Sequence, residues 1–179
     1  VRSGDMEKLA FLSQGFEKKD DAYVFNNPLP PYVEALTGNV KGKVELVRIN
    51  DSSCSECSSV EPIVQQLMFS RVHFSKQRNV DAGSDEGKSL IQKYKIKKLP
   101  TLVFSKELGD YDAIKPTWAR LGTVAEDGSY VLNFPGAPFR DSETNEVRGL
   151  VEMTYLVDES CTTCYNVSEH RNIVTNIKA

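Results

Sequence analysis

The chain has 179 residues and a net charge of −3, with 40% apolar and 26% charged residues, an ordinary globular balance sized for one large domain or two small ones. That mild acidity argues against nucleic acid as the main partner, because phosphate binding needs a clustered basic face. No stretch approaches the ~18 to 20 apolar residues of a spanning helix, and no signal-peptide pattern opens the chain, so no membrane span is expected.

In chain order, Val44 to Asn50 is rich in β-branched and apolar residues and predicts a buried strand. Asp51, Ser52 and Ser53 are good N-cap residues, and a helix is predicted from Cys57 to Ser70, with Val60, Ile63, Val64, Leu67 and Met68 at helical spacing. A second strand is predicted at Val72 to Val80. Ser84 and Asp85 open a helix over Glu86 to Tyr94, and Thr101 to Phe104 reads as a strand. Trp118 to Val124 and Ser129 to Asn133 read as two more strands around the hairpin signal Asp127-Gly128. Pro135 to Asn145 is rich in Pro, Gly and polar residues and is the best linker. Strands alternating with helices and ending in a hairpin give an α/β class with a mixed sheet flanked by helices.

The chain also aligns with itself without gaps. One shift carries Tyr23, Val24, Asn26, Pro28 and Pro31 onto Tyr130, Val131, Asn133, Pro135 and Pro138, and Asp51, Ser53, Cys54, Cys57 and Val60 onto Asp158, Ser160, Cys161, Cys164 and Val167. About 15 of the 38 residues from 23 to 60 are then identical. Residues 73–107 occur once. The expected organisation is therefore a tail of a preceding unit or an extension (1–25), one complete unit (26–134), a linker (135–148) and the front half of a second unit (149–179). A fragment of a longer tandem protein is expected. The alternative is a partial repeat that a second copy of the chain completes.

All four cysteines fall in two C-x-x-C pairs, a narrow usage that points to redox or metal chemistry rather than a disulfide framework. The thiolate is the reactive form, and a helix N-terminus lowers a thiol's pKa through its unpaired N–H groups and dipole. In such a pair the first cysteine attacks and the second resolves the mixed disulfide. Cys54 is thus the expected attacker and Cys57 the resolver, with Cys161 and Cys164 in the same roles. Glu56 opposes thiolate formation, so a strong oxidant is not expected. As a staple the bridge is poor, since so short a loop stabilises by only roughly 2 kcal/mol.

From Gly42 to Phe104 the chain resembles the thioredoxin superfamily. Cys54-Ser-Glu-Cys57 stands after the first core strand, Pro62 looks like the proline that bends that family's active-site helix, and Lys93-Tyr94-Lys95-Ile96-Lys97-Lys98-Leu99-Pro100-Thr101-Leu102-Val103-Phe104 is similar to its K-Y-x-I-x-x-x-P-T-L-x-x-F stretch. The resemblance implies a thioredoxin-like fold and a cis-proline at Pro100 facing the dithiol. Substrate would lie in extended form beside Leu99, Pro100 and Thr101. It also implies thiol–disulfide exchange with protein thiols and disulfides as partners, and no cofactor. In this sequence Arg48 lies near where thioredoxin itself has a buried acid, and Glu169 stands where the first unit has Pro62.

Other signals carry less. Gly83-Ser-Asp-Glu-Gly87-Lys88-Ser89 is one residue short of a phosphate-binding loop, and its acids would repel phosphate. Lys93, Lys95, Lys97 and Lys98 read as a solvated helix end running into a strand. His73 and His170 read as surface or partly packed residues. Zinc held by both cysteine pairs would require the two units to meet across a gap far wider than a zinc ribbon's. The expectation is a thiol–disulfide oxidoreductase or dithiol relay with no resident metal. The alternatives are a redox-inert interaction module and zinc binding by the paired motifs. The compartment is left open, with a weak preference for the cell envelope.

Overall fold

A computed structural model of the chain describes residues 16–177 apart from 21, 26–27, 159, 162 and 165. The chain divides into a first unit ending at Gly149 and a second beginning at Leu150. In the first unit, β1 (Phe16–Lys19) pairs antiparallel with β2 (Ala22–Phe25), and β3 (Tyr32–Val33) with β4 (Val40–Lys41). Residues 1–15 of the expected preceding tail lie outside the described residues.

The main sheet has five strands in the order β6-β5-β8-β10-β9. These are β5 (Lys43–Asn50), β6 (His73–Asp81), β8 (Thr101–Phe104), β9 (Gly122–Val124) and β10 (Tyr130–Leu132). Only β5 and β6 are parallel, joined through α1 (Glu61–Phe69); the other neighbours are antiparallel. A parallel pair needs such a crossover. The fold is thus a mixed α/β architecture, and the Asp127-Gly128 hairpin joins β9 to β10 as the sequence predicts.

Both faces of the sheet are covered, and central β8 is buried along its whole length. On one face Val44, Leu46, Leu102 and Phe104 meet Val64 and Leu67 of α1 and Trp118 of α3 (Lys115–Leu121). On the other, Ile49, Val103 and Val131 meet Leu90, Ile91 and Tyr94 of α2 (Asp85–Tyr94). Thr101, a fully buried polar residue, donates its hydroxyl to the Leu132 carbonyl at 2.6 Å.

Two elements differ from expectation. Trp118 to Leu121 is helical, and only Gly122 to Val124 is strand. Pro116 sits in the first turn, where its missing N–H is harmless, and Ile114, Trp118 and Leu121 form one apolar face. Residues 135–148, expected as a linker, carry β11 (Phe139–Asp141) and β12 (Val147–Arg148). β11 pairs with β12 on one side and with β7 (Lys98–Leu99) on the other. The β11–β12 hairpin lies at the repeat position of β3–β4, in the same register: Phe139 opposes Arg148 as Tyr32 opposes Lys41.

In the second unit α4 (Ser168–Ile177) begins at the repeat position of Glu61. Residues 150–157, which the self-alignment sets against β5, form no strand. A strand needs a ladder partner, and the segments that flank β5 have no repeat in the chain. No described helix is long and apolar enough to cross a membrane.

Candidate functional site at the Cys54–Cys57 loop

The loop between β5 and α1 is built around Asp51. Its carboxylate accepts from the Ser53 amide at 3.1 Å and the Ser53 hydroxyl at 2.6 Å, while the Cys54 amide donates to the Asp51 carbonyl at 3.2 Å. A short acidic side chain capping the backbone two residues on is an Asx turn, so this geometry is encoded locally. The second pair repeats it: Asp158 accepts from the Ser160 amide at 2.9 Å and hydroxyl at 2.6 Å, and the Cys161 amide donates to the Asp158 carbonyl at 3.2 Å. Both cysteine pairs are bridged, Cys54 to Cys57 and Cys161 to Cys164, with Cα separations of 5.5 and 5.4 Å.

The helix begins later than expected. Glu61 is its first residue and Val60 its cap, so Cys57 precedes the helix instead of opening it. Pro62 sets this boundary: it sits in the first turn, where a residue without N–H is tolerated, and opens the helix rather than bending it. A helix dipole fades within about one turn, so it acts weakly on Cys54. The charges close to the sulfurs matter more. An Asp51 carboxylate oxygen and the sulfurs of Cys54 and Cys57 all lie within 4.8 Å of one another. Sequence reasoning had used Asp51 only as a cap residue; its repeat at Asp158 was the available signal.

The Asp51 side chain is 3% exposed, and its partner is Arg140 from β11, which donates to the carboxylate through Nε and whose side chain is 17% exposed. Sequence reasoning missed Arg140 because it lies 89 positions away in the supposed linker. Burial pushes the Asp51 carboxyl upward, but the Arg140 and Ser53 hydrogen bonds together outweigh it and hold the group below its ordinary value of 3.8. A depressed carboxylate stabilises the fold above its unfolded pKa and loses that contribution as pH falls through the lower folded value. Asp51→Asn should therefore flatten the acid limb of stability below about pH 4, read as denaturant midpoints at pH 6 and pH 3. An unchanged acid limb would show that the ion pair contributes nothing.

Leu99, Pro100 and Thr101 reach the same end of the sheet. Thr101 of β8 opposes Ile49 of β5, so the residue before Thr101 lies beside the strand end that leads into Asp51. The Leu99–Pro100 peptide is cis. No protein-family model, curated protein or solved structure matches the chain. The chemistry therefore rests on this geometry: a C-x-x-C pair, a buried carboxylate–guanidinium pair beside it, and an extended segment running into Pro100.

The remaining sequence candidates find structural roles. Arg48 donates to Glu61 at 3.1 Å and to Gln77 at 2.9 Å, bracing the first turn of α1. Ser84 caps α2 by accepting from the Gly87 amide at 3.0 Å, which accounts for the phosphate-loop look-alike. Lys93 pairs with Asp127 at 2.7 Å, Lys97 with Glu143 at 3.5 Å, and Lys98 lies over the Phe134 and Phe139 rings. The lysine run is thus largely spoken for within the fold. The His73 amide donates to the Tyr111 hydroxyl at 2.8 Å, and the His170 side chain lies outside the described residues. A cavity of about 710 Å³ lies between Lys93–Lys98 and Thr123–Phe134, and no cysteine lines it. Asp51, Cys54 and Cys57 are the one described cluster with metal-ligand chemistry. Arg140 already engages its carboxylate.

Proposed function

We propose that the first unit is a thioredoxin-like thiol–disulfide exchange module acting on protein disulfides through Cys54 and Cys57. The observation that carries this reading is the convergence of the Cys54–Cys57 pair and the extended Leu99–Pro100 segment at one end of the β5–β8 pairing. In the reduced protein the Cys54 thiolate attacks one sulfur of a substrate disulfide. A mixed disulfide forms, and one substrate thiolate leaves and takes a proton. Cys57 then loses its proton and attacks the Cys54 sulfur, expelling the second substrate thiolate and restoring the Cys54–Cys57 bridge. Two electrons and two protons pass to the substrate. A dithiol donor must return them for a further cycle.

Asp51 and Arg140 shape this chemistry as a pair. A lone carboxylate so near the sulfurs would oppose thiolate formation, and the guanidinium offsets it. Cys161 and Cys164 share the local turn but have no described cis-proline segment, and we assign turnover to the first pair.

With dithiothreitol as electron source, the protein should accelerate insulin reduction. Cys54→Ser should abolish that acceleration while leaving the thermal unfolding profile close to that of Cys57→Ser. Equal rates for wild type and Cys54→Ser would remove the enzymatic reading and leave a redox-inert interaction module. The occupied edge of β7 favours that second reading, because the segment a substrate would pair with is already paired.

A further inference from the structure

The segment beside the cysteine pair is filled by the chain itself. Arg140 and Asp141 of β11 pair antiparallel with Leu99 and Lys98. This is the edge, next to Pro100, on which an extended polypeptide would add as a strand. The same segment crosses to the cysteine loop: the Ser58 amide donates to the Pro138 carbonyl at 2.7 Å, and the Ser58 hydroxyl to the Ala137 carbonyl at 2.5 Å. Farther on, the Ser142 amide donates to the Lys97 carbonyl at 3.0 Å and its hydroxyl to the Ile96 carbonyl at 2.6 Å. Residues 137–142 thus bridge the loop after Cys57 and the strand before Pro100. Their one basic side chain ends on the buried Asp51 carboxylate beside both sulfurs.

We infer that residues 137–142 occupy the dithiol's peptide groove as an intramolecular pseudo-substrate, and that the groove selects extended polypeptide segments carrying a basic side chain at the place of Arg140. Main-chain pairing supplies affinity for any extended segment, and a side-chain pocket supplies choice. Here that pocket ends on a carboxylate that burial makes costly to leave unpaired. A segment with an apolar or acidic residue at this place would strand Asp51 or repel it. One with arginine or lysine reproduces the contact. Entry of a substrate therefore requires the strap to leave, and the strap sets a threshold for access to the Cys54–Cys57 bridge. The inference rests on the exchange-module reading for the groove's purpose, while the docking of the strap stands apart from it.

The experiment uses the full chain, with the second cysteine pair as internal control. Limited reduction by a phosphine, followed by differential alkylation and mass spectrometry, reports each bridge separately. Arg140→Glu sets a carboxylate against Asp51 and should raise the reduction rate of Cys54–Cys57 roughly tenfold or more relative to Cys161–Cys164. Ser142→Ala, which removes only the hydroxyl bond to the Ile96 carbonyl, should raise it by a smaller factor. A fluorescent peptide Ala-Pro-Phe-Arg-Asp-Ser should bind Ser142→Ala more tightly than wild type, and its Arg-to-Glu counterpart should bind neither. Should Arg140→Glu fail to fold, hydrogen exchange on wild type decides: residues 139–142 should exchange through local opening well before β5 and β8. Unchanged relative reduction rates, no peptide binding, or exchange of 139–142 only with global unfolding would each overturn the inference. Peptide binding without insulin reduction would keep the groove and remove the oxidoreductase reading.

Discussion

Phe104→Ala is expected to lower the unfolding free energy by about 3–5 kcal/mol, the range for removing a large aromatic from a packed core. Phe104 is fully buried at the centre of the sheet, opposite Leu46 of β5. Trp118 meets it edge-on at 5.5 Å, and Phe74 stacks at 6.2 Å. Truncation removes one member of both aromatic pairs and leaves a void that three elements line. Because domains of this size are stable by only about 5–15 kcal/mol, the variant should be near its folding limit. Its denaturant midpoint, read by tryptophan fluorescence, measures this directly, since Trp118 is the single tryptophan. A shift below about 1 kcal/mol would show that the core closes over the gap and that Phe104 is not its centre.

What was legible in the sequence follows from how locally each feature is specified. β8 is a short run buried along its whole length, β5 carries Val44, Leu46, Val47 and Ile49 among polar residues, and the Asp-x-Ser-Cys turn is made by a side chain two residues from the backbone it caps. The Leu99–Pro100 segment was also marked in advance, through its resemblance to a motif. α3 was misread because its apolar face spans only Ile114, Trp118 and Leu121, and the β-branched Thr123 and Val124 follow one glycine later. The boundary of α1 was misread because apolar spacing continues backward through Val60, while Pro62 fixes the first turn. Nothing in the spacing rule distinguishes a capping residue from a helical one.

The site itself was half legible. Cys54 and Cys57 announce themselves by type and spacing. Asp51 was visible as a repeated residue, though its closeness to both sulfurs required coordinates. Arg140 was hidden, since Pro, Gly and polar residues around it read as linker. Those residues also pair with main-chain groups of Ser58, Lys97 and Leu99, and main-chain partners leave no trace in side-chain patterns. A segment that pairs through its backbone with a distant edge is the kind of contact that sequence reading misses first.

Gly87→Ala is expected to destabilise the protein by about 3 kcal/mol, at the upper end of the usual overpacking range, and to loosen the cysteine loop with it. A methyl group on Gly87 would lie 2.0 Å from the Asp81 carbonyl oxygen and 2.9 Å from the Ala82 Cα. Both obstacles are backbone, so no side-chain rotation relieves them; α2 must move away from the end of β6. That end also holds the site, since Asp81 accepts from the Ser52 amide at 3.1 Å and from the Gly83 amide at 2.8 Å. Displacing it pulls on the residue next to Asp51. The variant should therefore show two effects together: a lower denaturant midpoint, and faster phosphine reduction of Cys54–Cys57 than of Cys161–Cys164. Alanine has the higher helix propensity, so a purely local account of α2 predicts the opposite sign, stabilisation by about 1 kcal/mol. The sign of the midpoint shift thus separates close packing of α2 on β6 from helix propensity.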